Sequence, residues 1–149
     1  MTGVSLTIET RGLHAQLNAL QRLGRWEETE LLGAVGAVAE GAARRRLDEE
    51  KAGPDGAPWA PWSDAYGARR KPNQSLLVRS GALRDSLHHV VEGNVVRVGS
   101  NLVYAAIHQF GGADAGKPEL PARPYLGLSA EDEAEIEDVV ADFLAEVMR

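Results

Sequence analysis

Four groups of side chains in this sequence could do chemistry. His88 and His89 could ligate a metal or move protons. Ser80, followed by Gly81, could serve as a nucleophile. Glu133 and Glu137 lie one helical turn apart and could share general acid–base work. Arg69-Arg70-Lys71, with Arg79 and Arg84 nearby, could grip phosphates, a task that needs no sequence motif.

The surroundings weaken the first three. Adjacent strand residues point to opposite faces, so His88 and His89 do not share one metal, and His14 and His108 are far away in sequence. A nucleophile elbow needs glycine two residues to either side of its serine, which Ser80-Gly81 does not offer. The glutamates belong to a solvated acidic face. Cysteine is absent, which removes disulfides and thiolate metal sites. The expectation is a protein that is not an enzyme, with no catalytic residues, cofactor, metal or small-molecule substrate. A hydrolase would need a pocket that gathers Glu or Asp with His108, and nothing in the sequence requires one.

The chain has 149 residues and a net charge of −6, so it stays soluble by self-repulsion and has no general attraction for DNA or anionic lipid. Against that background, Arg69, Arg70 and Lys71 remain candidate DNA contacts, with subunit–subunit salt bridges the favoured use of these charges. The N-terminus lacks the charged start and apolar stretch of a signal peptide, no apolar run approaches the ~20 residues needed to span a bilayer, and no basic amphipathic helix suggests membrane binding. A protein made and kept in the cytosol, or assembled there, is expected.

The elements that must position these residues follow from periodicity. Val4, Leu6 and Ile8 alternate with polar residues and predict a short strand. Leu13, Leu17, Leu20 and Leu23 predict a helix that Gly24 ends. A second helix runs from about Glu27 to Glu50, with Leu31, Val35, Val38 and Ala42 on its apolar face. Its glycines, Gly33, Gly36 and Gly41, suggest close packing against another backbone. Residues 86–92 and 95–100 form a hairpin about Gly93-Asn94, with Val91 facing Val96 and His89 facing Val98. Asn101 is expected to cap a helix running to Phe110, with Gly111 as its stop. Ser129, with Asp132 three residues on, caps a last helix whose stripe is Ile136, Val139, Val140, Phe143, Leu144 and Val147. The fold class is α+β: a small antiparallel sheet packed by a long N-terminal helical region and a C-terminal helix, in one domain over 1–149.

Two segments stand outside this pattern. Pro54, Pro58 and Pro61 forbid regular structure, so about Gly53–Asn73 reads as an extended arm, and removing it should leave a folded protein. A second loop covers about 111–123, where Pro121-Ala122-Arg123-Pro124 must be extended. Trp59 and Trp62 in the arm are expected to anchor it in a neighbouring subunit, because Trp is enriched in interface hot spots.

Four runs in this order resemble the phage virion morphogenesis family, the tail-completion proteins of Mu-type contractile-tailed phages. They are Arg45-Arg46-Leu47 leading to Pro54-Asp55-Gly56-Ala57-Pro58-Trp59-Ala60-Pro61, the stretch from Leu76 to Ser86, Val98-Gly99-Ser100-Asn101 leading to Tyr104-Ala105-Ala106-Ile107-His108-Gln109-Phe110-Gly111-Gly112, and the stretch from Pro121 to Ser129. Leu47 departs from the aromatic common at that position in the family. The resemblance implies a non-enzymatic virion component at the head–tail junction or tail end, assembled in the host bacterial cytoplasm. It further implies a ring of like subunits, a hexamer first. Such a ring would meet the tail tube or sheath terminus or head–tail connector proteins, and packaged DNA is a candidate contact. With the two tryptophans, Arg79, Arg84, Tyr104, His108, Phe110, Arg123 and Tyr125 are the expected subunit-interface residues.

Overall fold

A computed structural model describes residues 3–9 and 27–147. The predicted helix carrying Leu13, Leu17, Leu20 and Leu23, and His14 with it, lies outside the described residues. The class is α+β, as the sequence pattern requires.

The sheet has three antiparallel strands: β1 (Val4–Glu9), β2 (His88–Glu92) and β3 (Val95–Ser100), with β3 in the centre. The hairpin register is the expected one, with Val91 opposite Val96 and His89 opposite Val98. β1 adds to the other edge of β3, with Ile8 opposite Val96 and Leu6 opposite Val98. Gly99 permits that approach, since a Cβ there would sit 2.1 Å from the Val4 carbonyl oxygen.

Helix α1 (Glu28–Arg45) lies across one face of the sheet and runs on into a π-helical turn, Arg46–Glu50. Leu31, Leu32 and Val35 meet Val96 at one end of the core. Ala39, Ala43 and Leu47 meet Val98, Leu87, Trp59 and Tyr125 at the other. Among the three helix glycines only Gly36 is a close approach, and it meets side chains rather than backbone. A Cβ there would lie 2.7 Å from both His89 and Val96, whereas Gly33 and Gly41 face open space. His89 on that face pairs through Nδ1 with Glu40, at 2.6 Å.

Helix α5 (Ala130–Val147) closes the far side of α1, with Ile136, Val140, Phe143 and Leu144 half-buried on the second core cluster. Its start is a reciprocal cap: Ser129 Oγ accepts the Asp132 N–H at 3.1 Å, and the Asp132 carboxylate accepts the Ser129 N–H at 2.9 Å. That same carboxylate is 1% exposed and pairs with the buried guanidinium of Arg46. Arg46 also donates to the carbonyls of Tyr125 (3.2 Å) and Gly127 (3.1 Å), and Arg45 donates to the other Asp132 oxygen at 3.2 Å.

Between α1 and the hairpin lie the short helices α2 (Asp64–Gly67) and α3 (Ala82–Ser86); α4 (Ala105–Phe110) and a 3-10 turn (Ala113–Ala115) precede α5. α4 begins four residues after Asn101, so Asn101 is not its cap. A turn intervenes in which Ser100 Oγ accepts the Leu102 N–H and the Leu102 carbonyl accepts the Ala105 N–H.

The arm needs a second correction. Its first part is built into the fold: Ala52 bridges Pro58, the Lys51 carbonyl accepts the Trp59 N–H, and the buried Trp59 indole donates to the Pro124 carbonyl at 2.9 Å. Around the buried Trp59 the turn 55–58 and residues 60–61 remain exposed, and most of the segment from Ser63 to Asn73 is exposed too. Removing all of Gly53–Asn73 would therefore tear Trp59 from the core and cannot leave the fold intact.

Two stability measurements check this packing. Asp132→Ala should cost about 3–5 kcal/mol in urea unfolding, because it strands a buried guanidinium; a loss under about 1 kcal/mol would contradict the buried pair. Gly33→Ala and Gly41→Ala should each add about 0.5–1 kcal/mol, while Gly36→Ala should destabilise despite the same gain in helix propensity.

Candidate functional site

The exposed part of the arm and the second loop form the two walls of a groove of about 1020 Å³. On the arm, Ser63 caps α2 by accepting the Tyr66 N–H at 3.3 Å. The cap brings Trp62 and Tyr66 to neighbouring turns, with ring centroids 5.9 Å apart. Arg70 lies over the Trp62 ring at 4.6 Å, a cation–π contact that stiffens both side chains. The Arg69 guanidinium donates back to the Ala65 carbonyl at 3.2 Å. The chain then returns through a tight turn in which Ser75 bridges Val78 and Leu77 sits at φ 60°, a left-handed conformation that costs a bulky side chain about 1–2 kcal/mol. Lys51 braces this turn, donating to Ser75 Oγ at 2.9 Å and to the Leu76 carbonyl at 3.0 Å. Burial lowers the Lys51 pKa from its usual value.

The opposite wall carries Tyr104, which precedes α4, and His108 on α4, edge to face at 5.9 Å, with Leu120 and Pro121 beyond. Arg123 ties the walls together. Its guanidinium donates to the carbonyls of Ala60 (2.8 Å) and Pro61 (2.9 Å), and its backbone N–H donates to the His108 carbonyl at 2.8 Å. Burial lowers the His108 pKa, and the neighbouring Arg123 charge lowers it further.

The groove thus gathers Trp62, Arg79, Tyr104, His108 and Arg123 from the expected interface set, together with Arg69. Arg70 lines the adjoining depression and Lys71 is exposed beside it. Others fall elsewhere. Arg84 pairs with Asp48 (3.3 Å) and Asp85 (2.9 Å), and Phe110 stands 70% exposed outside the groove. Trp59 and Tyr125 are corrections: both are enclosed in the protein's own core and offer no surface to a neighbour. The indole N–H and phenol OH explain why, since each found a carbonyl inside the fold, the latter at Ala105 (2.8 Å). Arg123 is largely buried for the same reason and acts as a brace.

Tyr66 and Leu77 in the groove escaped the sequence reading. The spacing of Trp62 and Tyr66 around a Ser63-Asp64 cap was the available signal for Tyr66. The positive φ of Leu77 left none.

Chemically the groove can stack and pair charges. Its three serines are engaged as acceptors, Ser63 from Tyr66 and Ser80 from Ala82 at 3.3 Å and Ser75 from Lys51 at 2.9 Å, and among the described residues no hydrogen bond joins any of them to His108. Among the described residues no three of His, Cys, Asp and Glu gather as a metal site, and no helix is long and apolar enough to cross a membrane.

A sequence profile of the phage virion morphogenesis family matches residues 8–145. The chain is similar to the putative capsid assembly protein G of Escherichia phage Mu, with 33% identity over 139 residues, covering 88% of this chain and 89% of that protein. It is also similar to the Mu-like prophage FluMu G protein 2 of Haemophilus influenzae, with 45% identity over 69 residues, or 45% of this chain and 50% of that one. An uncharacterized protein of Methanocaldococcus jannaschii is 35% identical over 75 residues, or 46% of this chain and 53% of that protein. No solved structure matches.

The His108 environment has a measurable consequence. Its folded pKa lies below the unfolded value of 6.5, so on acidification the unfolded chain binds a proton first. The stability held above 6.5 is therefore lost as pH falls from there toward the folded pKa. NMR titration should put the His108 midpoint below 6.5, and His108→Asn should flatten stability over that window; a midpoint above 6.5 would contradict the burial.

Proposed function

The chain belongs to the phage virion morphogenesis family, and we propose that within the particle it is a non-enzymatic connector subunit that completes the tail or joins head to tail as a ring of like copies. The observation that carries this reading is the groove itself. Its rims hold exposed aromatic and arginine side chains on a braced backbone, with Tyr104 44% exposed and Trp62 stiffened by Arg70. Trp, Tyr and Arg are the residues that dominate binding energy at protein interfaces. Ordering is already complete at these walls, so docking there would cost less conformational entropy than folding a loose loop. Contacts between two different faces of identical subunits close into a ring when the rotation closes, and the ring proposed here has six copies. Such a ring would sit at the head–tail junction or the tail end and would meet the tube or sheath terminus on one side or connector proteins on the other.

A second reading rests on Arg69, Arg70 and Lys71, which are exposed and free of carboxylate partners among the described residues. A ring that presents these cations inward could touch packaged DNA, with binding that falls steeply as salt rises.

The combined variant Trp62→Ala, Tyr104→Ala tests the first reading in a host that otherwise lacks the protein. It should fold with nearly unchanged melting temperature, since neither side chain is buried. Its incorporation into particles should drop by about tenfold or more, the loss expected when hot-spot aromatics are truncated. Incorporation at the wild-type level would refute the docking role of the groove.

A further inference from the structure

Cations on the two sides of this molecule are treated differently. On the α1 and sheet side each arginine among the described residues has an acid: Arg44 with Glu40, Arg45 with Glu50, Arg46 with Asp132, Arg84 with Asp48 and Arg97 with Glu92. On the arm side, Arg69, Arg70, Lys71, Arg79 and Arg123 have no carboxylate within ion-pair distance among the described residues, although the chain as a whole is acidic. Among the described residues, acids without an ion pair include Glu49, Asp64, Asp114 and the groove-wall Glu119, and their densest run is on α5. This helix contains no Lys or Arg, and its exposed residues Glu131, Glu135, Asp138 and Asp142 follow at i, i+4, i+7 and i+11, on one face. Like charges at such spacing destabilise a helix by a few tenths of a kcal/mol each, so the stripe weakens the helix that carries it. Ala134 and Ala141 are exposed beside it and would let a flat aromatic surface come close.

We infer that the outer face of α5 in one copy seats in the arm groove of the next. The carboxylate stripe spans about 16 Å at 1.5 Å per residue, and its alanines would lie against Trp62 and Tyr104 while its acids meet Arg69 and Arg79. Within one copy α5 packs on α1, and none of its stripe carboxylates reaches an arm cation, so the two faces find their complement only between copies. Groove and helix are different surfaces, and their contact is head-to-tail, the kind that builds rings. The inference deepens the connector reading and rests on it.

Two charge-reversed full-length chains test it by sedimentation velocity. One carries Arg69→Glu and Arg79→Glu; the other carries Asp138→Lys and Asp142→Lys. All four positions are exposed, and circular dichroism confirms that both fold. The wild type should associate beyond the dimer, less so as salt rises from about 50 to 500 mM. Each variant alone should associate at least about tenfold more weakly. An equimolar mixture should recover association, because it offers one unaltered groove-to-helix contact and one in which the reversed charges again oppose each other. Variants that assemble like the wild type, a mixture that stays monomeric, or a wild type that never associates would each overturn the pairing. So would wild-type binding to a DNA duplex that the groove variant loses while its self-association is unchanged, which would make DNA the occupant. Particle incorporation separates this from the broader reading: variants that self-assemble normally while Trp62→Ala, Tyr104→Ala stays out of particles would sink the helix-in-groove contact and leave the virion role standing.

Discussion

The ion pair of Arg46 with Asp132 is the constraint on which the remaining architecture depends. Both groups are 1% exposed, and stripping water from two such ions costs several kcal/mol each. The structure offsets that cost with several partners for each ion, although the buried Arg46 Nε has no hydrogen-bond partner. Arg46 donates to two carbonyls besides the carboxylate, and Asp132 accepts from Arg45 and from the Ser129 N–H while its own N–H is capped by Ser129. Three pieces of chain therefore meet at one point: the end of α1, the start of α5 and the extended strand through Tyr125 and Gly127. An apolar replacement of the same volume could hold these pieces as tightly, but it would not fix their orientation, because dispersion contacts have no directional preference while the forked guanidinium does.

Orientation at that point propagates to the groove. Once Tyr125 is held by its carbonyl, its phenol reaches the Ala105 carbonyl at the start of α4. Burial pushes that phenol pKa far up, so it remains a donor at any physiological pH. Gln109 on α4 clamps the same strand, accepting the N–H groups of Tyr125 and Leu126 and donating to the Leu126 carbonyl. The clamp sets where Arg123 and Pro124 run, and these two residues hold Trp59 and the carbonyls of Ala60 and Pro61. Lys51, in the residue after the π-helical turn, braces the far end of the arm. A surface aromatic such as Trp62 is thus a few rigid links from a buried ion pair, and its position is a property of the core.

Local patterns carried the parts of this fold that local physics decides. The hairpin register follows from a two-residue turn and alternation, and the Ser129–Asp132 cap follows from two residues three apart. The arm was misread for the opposite reason. Pro54, Pro58 and Pro61 do exclude helix and sheet, but exclusion from regular structure is not projection into solvent. What anchors this stretch to the fold is Trp59 finding Pro124, 65 residues away, and no short window of sequence contains that partner. Arg46 and Asp132 are 86 residues apart and each is ordinary in its own helix. The groove was legible in composition, because Trp62 and Arg79 are conspicuous types in a loop segment and Tyr104 and His108 in a short helix, while its enclosure by Arg123 and Leu77 required the tertiary fold.

Charge placement has two consequences for how copies of this chain would meet. A net charge of −6 repels copies at distances up to about a Debye length, roughly 8 Å at physiological salt, and so disfavours random encounters. Within that range the local arrangement decides: an approach that brings the α5 acids toward the arm cations is attractive, and one that brings acid to acid is not. The same net charge thus suppresses most orientations and steers the remaining one. Because the groove walls are already braced, the encounter needs little rearrangement before aromatic surface is buried, and burial at about 25 cal/mol per Å² would hold what electrostatics had oriented. An evenly mixed surface would give neither the repulsion nor the steering, which is a physical reason for an acidic protein to leave a cluster of arginines without ion pairs among its described residues.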